Sequence, residues 1–186
     1  MDKVKLGDIA EVVSGLSYRR YRVEDGQSYD VIVQRSIKRD GILSDFESMR
    51  LKEPKPHYFT RKGDILMKTP YPYDVVCVGQ EGLVVSDRIA IIRLNEGYDP
   101  SFIAHLLTNA HIKKQLHELG STEKIPHTSL KEIKELELVV PDYSTQVKCG
   151  ELLDTINEKI AEDKRVVSYD RDLKEGILNR IWEDFK

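Results

Sequence analysis

The sequence predicts an α+β protein, in which a mostly β domain with a few helices is followed by a long C-terminal helix. Residues 1–141 contain short β-branched and apolar runs separated by turn residues, a pattern typical of strands. After Pro141 there is no further proline, glycine occurs only at positions 150 and 176, and apolar residues recur every three or four positions. We therefore expect two parts, residues 1–141 and residues 142–186.

The composition is that of a globular protein, since 40% of the 186 residues are hydrophobic and 33% are charged. No run approaches the roughly 18 apolar residues of a membrane span. The first residues, MDKVKLGDIAEVV, lack the apolar core of a secretory signal, so a cytoplasmic protein is expected. Cys77 and Cys149 lie far apart among apolar neighbours, which favours buried, reduced thiols.

The net charge of −3 argues weakly against a nucleic-acid partner, but the charges are unevenly distributed. Residues 142–186 hold 8 Lys and Arg against 11 Asp and Glu, so the rest of the chain is neutral. Within that neutral part, residues 19–68 carry 12 basic and 8 acidic side chains. This modest basic region fits DNA binding only if its charges are focused on one surface. An ordinary solvated surface explains it equally well.

The predicted elements of the first part follow in order along the chain. KLGDIAEVVSG at the N-terminus suggests a helical turn leading into a strand, and YDVIVQ (29–34) suggests a second strand. RKGDILMK (61–68) is a turn followed by a strand. VVCVGQEGLVVS and DRIAIIRL then predict two or three consecutive strands, with bends at Gly79 and Gly82.

One helix is predicted from Pro100 to Leu119, because Asp99 can cap it and Gly120 can end it. Apolar residues recur through this segment at helical spacing. A shorter helix should begin after Ser129, since Ser129 and Glu132 have the spacing of a capping box. LELVVP then predicts a buried strand that ends at Pro141.

The C-terminal part carries an apolar seam with spacings of three and four, interrupted near Asp163 and Asp170. A helix of roughly 40 residues measures about 60 Å. Because a domain of 141 residues cannot cover such a seam, we expect the helix to project and to pair with another helix as an antiparallel coiled coil. Folding of this tail back onto its own domain is the alternative. The seam residues are Leu153, Ile156, Ile160, Val167, Leu173, Ile177 and Ile181.

No catalytic or metal site is predicted. The five histidines and two cysteines have no zinc-ligand spacing, and no P-loop, GxSxG or GxGxxG motif occurs. A nuclease arrangement around Glu132 and Lys134 lacks an upstream acid. The TPYPY segment is similar to the base-holding motif of amino-methyltransferases, but it has Thr69 where that chemistry needs Asn or Asp, and no loop for S-adenosylmethionine follows a strand. No cofactor is therefore expected on this chain.

Two segments have the side chains of a DNA-binding surface. In SYRRYRVEDG, Arg19, Arg20 and Arg22 alternate with tyrosines, and arginine suits phosphates and guanine edges. As a strand, this segment would place Arg20 and Arg22 on one face. In LMKTPYPYDVV, the loop residues Lys68, Tyr71 and Tyr73 can contact phosphates, sugars or bases. In both segments, tyrosines packed into the core are the alternative.

The order of these elements resembles the specificity subunit of type I restriction–modification systems, with one target recognition domain and one conserved helical region. The matching pieces are KLGDIAEVVSG, KGDILMK, YDPSFIAHLLTNAHIKKQL, GSTEKIPHTSLKEIKELELVVPDYSTQ and the terminal helix. The family pattern in the fourth piece is a Gly-Ser loop, a short helix, a strand ending in proline, and a glutamine that opens the helix. It is supplied by Gly120, Ser121, Leu130, Ile133, Pro141 and Gln146.

The resemblance implies a non-catalytic subunit that reads one half of a bipartite double-stranded DNA target. It also implies helical docking to the methyltransferase (modification) subunits, and contact with the restriction subunit through the complex. S-adenosylmethionine would bind the methyltransferase. Family members usually carry two recognition domains and two helical regions, so this sequence suggests a homodimer through the C-terminal helix, or pairing with another specificity chain. Since Gly120 and the capping box hold both ends of their loop, Ser121, Lys124 and His127 are further candidate DNA contacts.

Two alternatives stay open from the sequence. The first alternative to a DNA-reading subunit is a degenerate or truncated specificity chain that binds partner subunits without reading DNA. The second, with less support, is an enzyme that modifies nucleic acid.

Overall fold

The computed structural model describes residues 2–119 and 127–185. The chain forms nine strands, six α-helices and two single-turn 3-10 helices, Gln34–Ser36 and Pro56–Tyr58, within these residues. The strands are β1 Asp2–Lys5, β2 Ala10–Ser14, β3 Arg22–Ile32, β4 Glu47–Leu51, β5 Ile65–Lys68, β6 Val75–Cys77, β7 Val84–Val85, β8 Ile89–Leu94 and β9 Glu137–Val140. The helices are α1 Leu6–Ile9, α2 Tyr18–Tyr21, α3 Pro100–Leu107, α4 Ala110–Leu119, α5 Leu130–Lys134 and α6 Tyr143–Asp184. A β-rich domain followed by a long C-terminal helix confirms the predicted α+β class.

The described strands form three sheets. Four antiparallel strands lie in the order β2-β8-β5-β6, and a second sheet has the order β4-β3-β7 with β3 and β7 parallel. β1 pairs antiparallel with β9, with Lys3 opposite Val139, so the two ends of the β-rich part lie side by side. The strand before α6 is therefore hydrogen-bonded to the strand at the N-terminus.

The four-stranded sheet is buried on both faces. In β5, Ile65 and Met67 pack into a cluster with the helices α1, α3, α4 and α5, whereas Leu66 packs into a second cluster with Ile32 and Val85 of the other sheet. Successive strand residues point to opposite faces, so burial of both faces requires apolar residues at every position. This explains why ILM and IAII are continuous apolar runs.

The single helix predicted from Pro100 to Leu119 is in fact two helices, α3 and α4. The Thr108 hydroxyl donates to the carbonyl of His105, at 2.7 Å. The Asn109 side chain accepts from the backbone N–H of His111, at 2.8 Å, which is the bond of a residue that caps a new helix. The apolar spacing continues across the break, so the capping side chains are the signal that periodicity alone missed.

The short helix α5 begins as predicted. The Ser129 side chain accepts from the Glu132 backbone N–H, and the Glu132 carboxylate accepts from the Ser129 N–H, at 2.6 Å. Each residue therefore satisfies a backbone donor that the helix leaves free. Cys77 and Cys149 are free thiols that are half-buried and not fully buried as predicted, and burial raises the pKa of the Cys77 thiol to about 11.

The helix α6 is capped by Asp142 and tied to α3 at its start. Hydrogen bonds from Ser144 and Thr145 lower the pKa of the Asp142 carboxyl to about 2. Gln146 is buried; its amide donates to the Pro141 carbonyl, at 2.9 Å, and its oxygen accepts from the Asp99 N–H, at 3.0 Å. The glutamine of the family pattern therefore joins the first turns of two helices.

Further contacts hold the first half of α6 against the β-rich part, and the second half projects. Asp154 accepts from the Ser101 hydroxyl, at 2.6 Å, and is hydrogen-bonded to His105 Nε2, at 2.8 Å. Lys164 forms an ion pair with Asp40, at 3.1 Å. All residues from 162 to 185 are exposed. In the described ranges, no helix combines the length and the apolar content that crossing a membrane requires.

At Gly150 the backbone of α6 passes close to the first turn of α3. A Cβ atom at this position would lie 2.7 Å from Asp99 Oδ1 and 3.1 Å from the backbone nitrogen of Phe102. These two atoms form the capping hydrogen bond of α3, at 2.8 Å. A side chain here therefore competes with the cap for the same space.

We expect Gly150→Ala to destabilise the protein and Gly176→Ala to stabilise it. At position 150, crowding by the added methyl group lowers the free energy of unfolding by about 1–3 kcal/mol. The higher helix propensity of alanine raises it by roughly 1 kcal/mol. A Cβ at Gly176 meets no atom within 4 Å, so this matched variant keeps only the gain. Urea unfolding of both variants measures the difference. Equal effects of the two substitutions would show that α6 does not press on α3.

Candidate nucleic-acid interface

Three loops converge on a polar groove of about 520 Å³. They are the segment around α2, the segment that follows β3, and the turn between β7 and β8. We call this the basic groove. Its lining residues are Ser17, Tyr18, Arg19, Val33, Gln34, Arg35, Glu47, Ser86, Asp87 and Arg88.

Close backbone packing positions two of these loops. Gly15 lies so near the β7–β8 turn that a Cβ there would be 2.2 Å from the Ser86 carbonyl oxygen. The next residue, Leu16, donates its N–H to the Val85 carbonyl, at 2.6 Å, and Ser86 donates to the Ile32 carbonyl, at 3.0 Å. The loops that carry the groove side chains are therefore held by backbone hydrogen bonds and not by the side chains themselves.

The groove gathers arginines from all three loops. Arg19, Arg35 and Arg88 are exposed, with Glu47 and Asp87 as the acidic residues of the lining. Arg35 forms an ion pair with Glu47, at 2.9 Å. In the part of the chain that the structure describes, Arg88 is hydrogen-bonded through its backbone carbonyl, which accepts from Thr69, whereas its guanidinium has neither a hydrogen bond nor an ion pair. Guanidinium groups at the surface of a groove can bind phosphates or guanine edges.

Arg35 and Arg88 were not among the residues chosen from the sequence. Arg35 lies in the modestly basic region 19–68 but not among tyrosines, and Arg88 lies in no basic or aromatic-rich segment, so no local pattern distinguishes them from other surface arginines. The parallel pairing of β3 with β7, where Val31 lies opposite Val84, brings the ends of these distant strands together. Spatial proximity created by the sheet is what makes them part of one groove.

The segment of Arg19, Arg20 and Arg22 is not a continuous strand. Residues Tyr18–Tyr21 form one helical turn, and β3 begins at Arg22. The shared face expected for Arg20 and Arg22 is therefore wrong, because a helical turn rotates successive side chains by about 100° and not 180°. All three arginines are exposed, but only Arg19 lines the groove. Tyr18 and Tyr21 pack against a buried cluster, the alternative considered for them.

Within the loop after β5, Tyr71 is exposed but Tyr73 is not. Tyr71 has 59% of its surface exposed, whereas Tyr73 has 0% and packs with the main core. Burial raises the pKa of the Tyr73 hydroxyl. The choice of Tyr73 as a DNA contact is corrected by this position, since its ring fills the core below the Tyr71 ring.

Lys68 is paired within the protein. Its ammonium lies 2.9 Å from Asp74, with the two side chains 14% and 6% exposed. A phosphate contact would require breaking this largely buried ion pair and leaving Asp74 without its partner, which is costly. We therefore expect Lys68 to stabilise the loop through Asp74 and not to bind a ligand.

His127 lies beside the Tyr71 loop and close to the basic groove. Its Nε2 is hydrogen-bonded to the Thr69 hydroxyl, at 3.2 Å. The same hydroxyl and the Thr69 N–H donate to the Arg88 carbonyl, at 3.2 and 3.1 Å. Arg88, Thr69 and His127 therefore form a continuous link between two segments chosen separately from the sequence. Ser121 and Lys124 lie outside the described residues.

No group of three or more His, Cys, Asp or Glu side chains suited to a metal ion occurs in residues 2–119 and 127–185.

Comparison with known proteins identifies the family. The family described as the type I restriction modification DNA specificity domain matches residues 1–166. The chain belongs to this family. Comparison with curated protein sequences finds no match.

Solved structures of specificity subunits have the same fold. The HsdS subunit from Thermoanaerobacter tengcongensis superposes with a TM-score of 0.70 at 17% identity, over 89% of this chain and 44% of that one. The S subunit from M. genitalium gives 0.60 at 14% identity, over 94% and 43%. A structure described for complex assembly and conformational transition of the type I R-M system gives 0.65 at 18% identity, over 89% and 40%. The chain thus spans less than half the length of each of these neighbours.

Proposed function

We propose that this type I specificity chain reads one half of a bipartite DNA target and has no catalytic activity of its own. The observation that carries the proposal is the convergence of Arg19, Arg35 and Arg88 on one groove. Three guanidinium groups from three loops stand against the carboxylates of Glu47 and Asp87, so the groove lining has a net charge of 3 − 2 = +1 in a chain whose net charge is −3. Focused charge of this kind is what DNA binding by an acidic protein needs.

The interface proposed here extends from the basic groove to its neighbouring edge, formed by Tyr71 and His127. Both side chains are exposed, and the Thr69 hydrogen bonds join this edge to Arg88. An exposed tyrosine ring beside a basic groove can contact sugars or base edges, while the arginines bind phosphates or guanines. Arg20 and Arg22 lie outside the groove lining and would contribute charge rather than base contacts.

The two parts of the chain have separate roles in this proposal. Residues 1–141 form the target recognition domain, and residues 142–186 form a helix that sets distance and docks partner proteins. Those partners are a methyltransferase subunit, which binds S-adenosylmethionine, the restriction subunit through the complex, and a second copy of this chain. The exposed apolar residues of α6 support helical docking, because solvent-exposed apolar seams are costly unless a partner covers them. The assembly would act in the cytoplasm.

The test is to co-express the chain with the methyltransferase subunit of its own genome and to map methylated adenines. A sequence-specific methylation pattern that changes or disappears with Arg88→Ala is expected. The matched control is Arg61→Ala. Arg61 is exposed and lies near the Ile65 end of β5, whereas Arg88 lies near the other end of this strand, at Lys68. An intact complex without any specific methylation would show instead that the chain is a degenerate specificity protein that binds partners but does not read DNA.

A further inference from the structure

Thr69 lies in the loop after β5, and all of its polar groups are hydrogen-bonded to two distant segments. The residue is 5% exposed. Its N–H and its hydroxyl donate to the Arg88 carbonyl, at 3.1 and 3.2 Å. Its carbonyl accepts from the Thr128 N–H, at 2.9 Å, and its hydroxyl oxygen lies 3.2 Å from His127 Nε2. The hydroxyl is therefore not presented to a ligand, and it connects the basic groove to His127.

The Thr69 hydroxyl has a single proton, which decides the direction of both of its hydrogen bonds. The Arg88 carbonyl is only an acceptor, so the proton points to it. The hydroxyl oxygen must then accept from His127 Nε2, which therefore carries a hydrogen. The reverse direction would give up the bond to Arg88 and leave two oxygens 3.2 Å apart with no proton between them, which is costly in a buried place.

This direction defines what the exposed histidine offers to a ligand. In an uncharged ring that carries its hydrogen on Nε2, Nδ1 is an acceptor. The His127 side chain is exposed, and no group in residues 2–119 and 127–185 is hydrogen-bonded to its Nδ1. Nδ1 is therefore the ring nitrogen that can accept a hydrogen bond from DNA.

The His127 ring is held in place before any ligand binds. Its backbone forms a bridge with Pro70, and the next residue, Thr128, is fully buried. The Thr128 hydroxyl donates to the Glu132 carboxylate of the capping box, at 3.3 Å. The Thr69 hydroxyl then fixes the far end of the ring. A side chain that is fixed in this way loses little conformational entropy when it binds.

Arg88 depends much less on the same hydroxyl. Its carbonyl keeps the hydrogen bond from the backbone N–H of position 69, at 3.1 Å, whatever side chain that position carries. The turn that contains Arg88 is closed separately by the Ile89 N–H, which donates to the Ser86 carbonyl, at 3.1 Å. Loss of the Thr69 hydroxyl should therefore release the His127 ring and leave Arg88 in place.

An acceptor at Nδ1 matches one kind of group on DNA. In the major groove, the exocyclic amines of adenine and cytosine are donors, whereas the carbonyl oxygens of guanine and thymine are acceptors. Nδ1 can bind the amines and is repelled by the oxygens. Every base pair presents one amine and one carbonyl oxygen in this groove, so an acceptor held at a fixed place distinguishes a pair from the same pair reversed.

We propose that Thr69 is a positioning residue for base recognition. Through its hydroxyl, His127 is oriented to accept at Nδ1 a hydrogen bond from the exocyclic amine of an adenine or a cytosine in the target. The inference rests on the proposed DNA-reading function and names the group that one side chain of the interface recognises. Arg88 binds DNA without help from the hydroxyl.

Substitutions at position 69 separate the hydroxyl from the shape of the side chain. Thr69→Val removes the hydroxyl and keeps the branched shape, whereas Thr69→Ser keeps the hydroxyl. With the purified complex and its mapped DNA site, Thr69→Val should raise the dissociation constant about 5-fold, as expected for one hydrogen bond. Thr69→Ser should stay within about 2-fold of the unaltered chain. Equal binding by Thr69→Val and the unaltered chain, or an equal loss in both variants, would overturn the role of the hydroxyl.

Double variants identify the side chain through which the hydroxyl acts. In a His127→Ala background, Thr69→Val should cause no further loss of affinity. In an Arg88→Ala background, Thr69→Val should keep its effect of about 5-fold. If Thr69→Val weakens binding equally in both backgrounds, the hydroxyl does not act through the His127 ring and the proposal is wrong.

Base analogues test which group His127 recognises. The base pair whose preference is relaxed by His127→Ala is synthesised without its exocyclic amine and, as the matched control, without its carbonyl oxygen. Removal of the amine should weaken binding of the unaltered chain about 5-fold and leave binding of His127→Ala unchanged. Removal of the oxygen should affect both chains alike. Dependence of His127 on the oxygen, or a His127→Ala chain with every preference unchanged, would contradict the proposal.

Nitrogen NMR of the histidine-labelled full-length chain tests the direction of the hydrogen bond without DNA. In weakly alkaline buffer, where histidine side chains are ordinarily uncharged, the His127 hydrogen should lie on Nε2. The His127 signals are assigned by their absence from His127→Ala. The Nε2 hydrogen should exchange with water faster in Thr69→Val than in Thr69→Ser. A ring with its hydrogen on Nδ1 in the unaltered chain would overturn the inference.

Failure of this inference is distinguishable from failure of the proposed function. An unaltered complex that neither binds nor methylates a specific site contradicts the proposed function, and the inference with it. An unaltered complex that recognises its site, together with a Thr69→Val complex of the same affinity and preference, contradicts only the inference.

Discussion

Replacing Arg93 by alanine is expected to lower the free energy of unfolding by about 3–5 kcal/mol, since it removes one partner of a buried ion pair. The Arg93 and Asp64 side chains are 9% and 4% exposed. The guanidinium donates to both carboxylate oxygens of Asp64, at 3.1 and 3.2 Å, and to the Phe59 carbonyl, at 3.0 Å. Alanine leaves the Asp64 charge buried without its partner, while the carboxylate continues to accept from the Arg61 N–H.

Urea unfolding of the full-length chain measures this loss, with Arg50→Ala as the matched control. Arg50 is exposed and donates to a single carbonyl, that of Glu24, at 2.9 Å. Its removal should change the free energy of unfolding by no more than about 0.5 kcal/mol, as is usual at surface positions. If the two variants unfold at the same urea concentration, the Arg93–Asp64 pair does not have the structural role assigned to it.

Alanine at Arg88 is expected to weaken binding to the cognate DNA site by about 1–3 kcal/mol, which is roughly 5- to 150-fold, if the arginine forks onto a guanine. The corresponding effect at Arg35 should be smaller, because binding there competes with the Glu47 ion pair, at 2.9 Å. Fluorescence anisotropy with the purified complex measures both effects, using the site obtained from the methylation map. If Arg88→Ala and the unaltered chain bind the DNA site equally well, Arg88 does not contact DNA.

The dependence of binding on salt separates the two kinds of arginine contact. An arginine that binds a phosphate weakens all sequences alike, and its removal reduces the slope of log K against log salt by about 1. An arginine that reads a base leaves the slope nearly unchanged and relaxes the preference at one position. Arg61→Ala, at the opposite end of β5, should change neither the affinity for the site nor the preference.

The contrast between Arg19 and Arg88 shows what sequence reasoning can find in such a site. Arg19 was identified because it lies in a basic segment interleaved with tyrosines, a property of its immediate neighbours. Arg88 has no such neighbours, and its place in the groove depends on the pairing of strands far apart in the chain. The prediction that Tyr73 contacts DNA has the opposite problem. Its segment has the composition of a DNA-binding loop, but the fold places its side chain in the core.

What the sequence alone determined are the features set by a few neighbouring residues. The Ser129–Glu132 capping box, the apolar runs that became β5 and β8, and the start of α6 after Pro141 all depend on local hydrogen bonding or on periodicity. The break between α3 and α4 was also local, in the capping side chain of Asn109, but continuous apolar spacing concealed it.

What only the tertiary structure decided is which distant residues meet. It brought Arg35 and Arg88 to Arg19, buried Tyr73, paired Lys68 with Asp74 and joined His127 to Thr69. Periodicity shows that a side chain faces a core or solvent, but it carries no information on which loop lies opposite. That choice is made by strand pairing and by packing of the whole core, whose free energy is shared among residues from all parts of the chain.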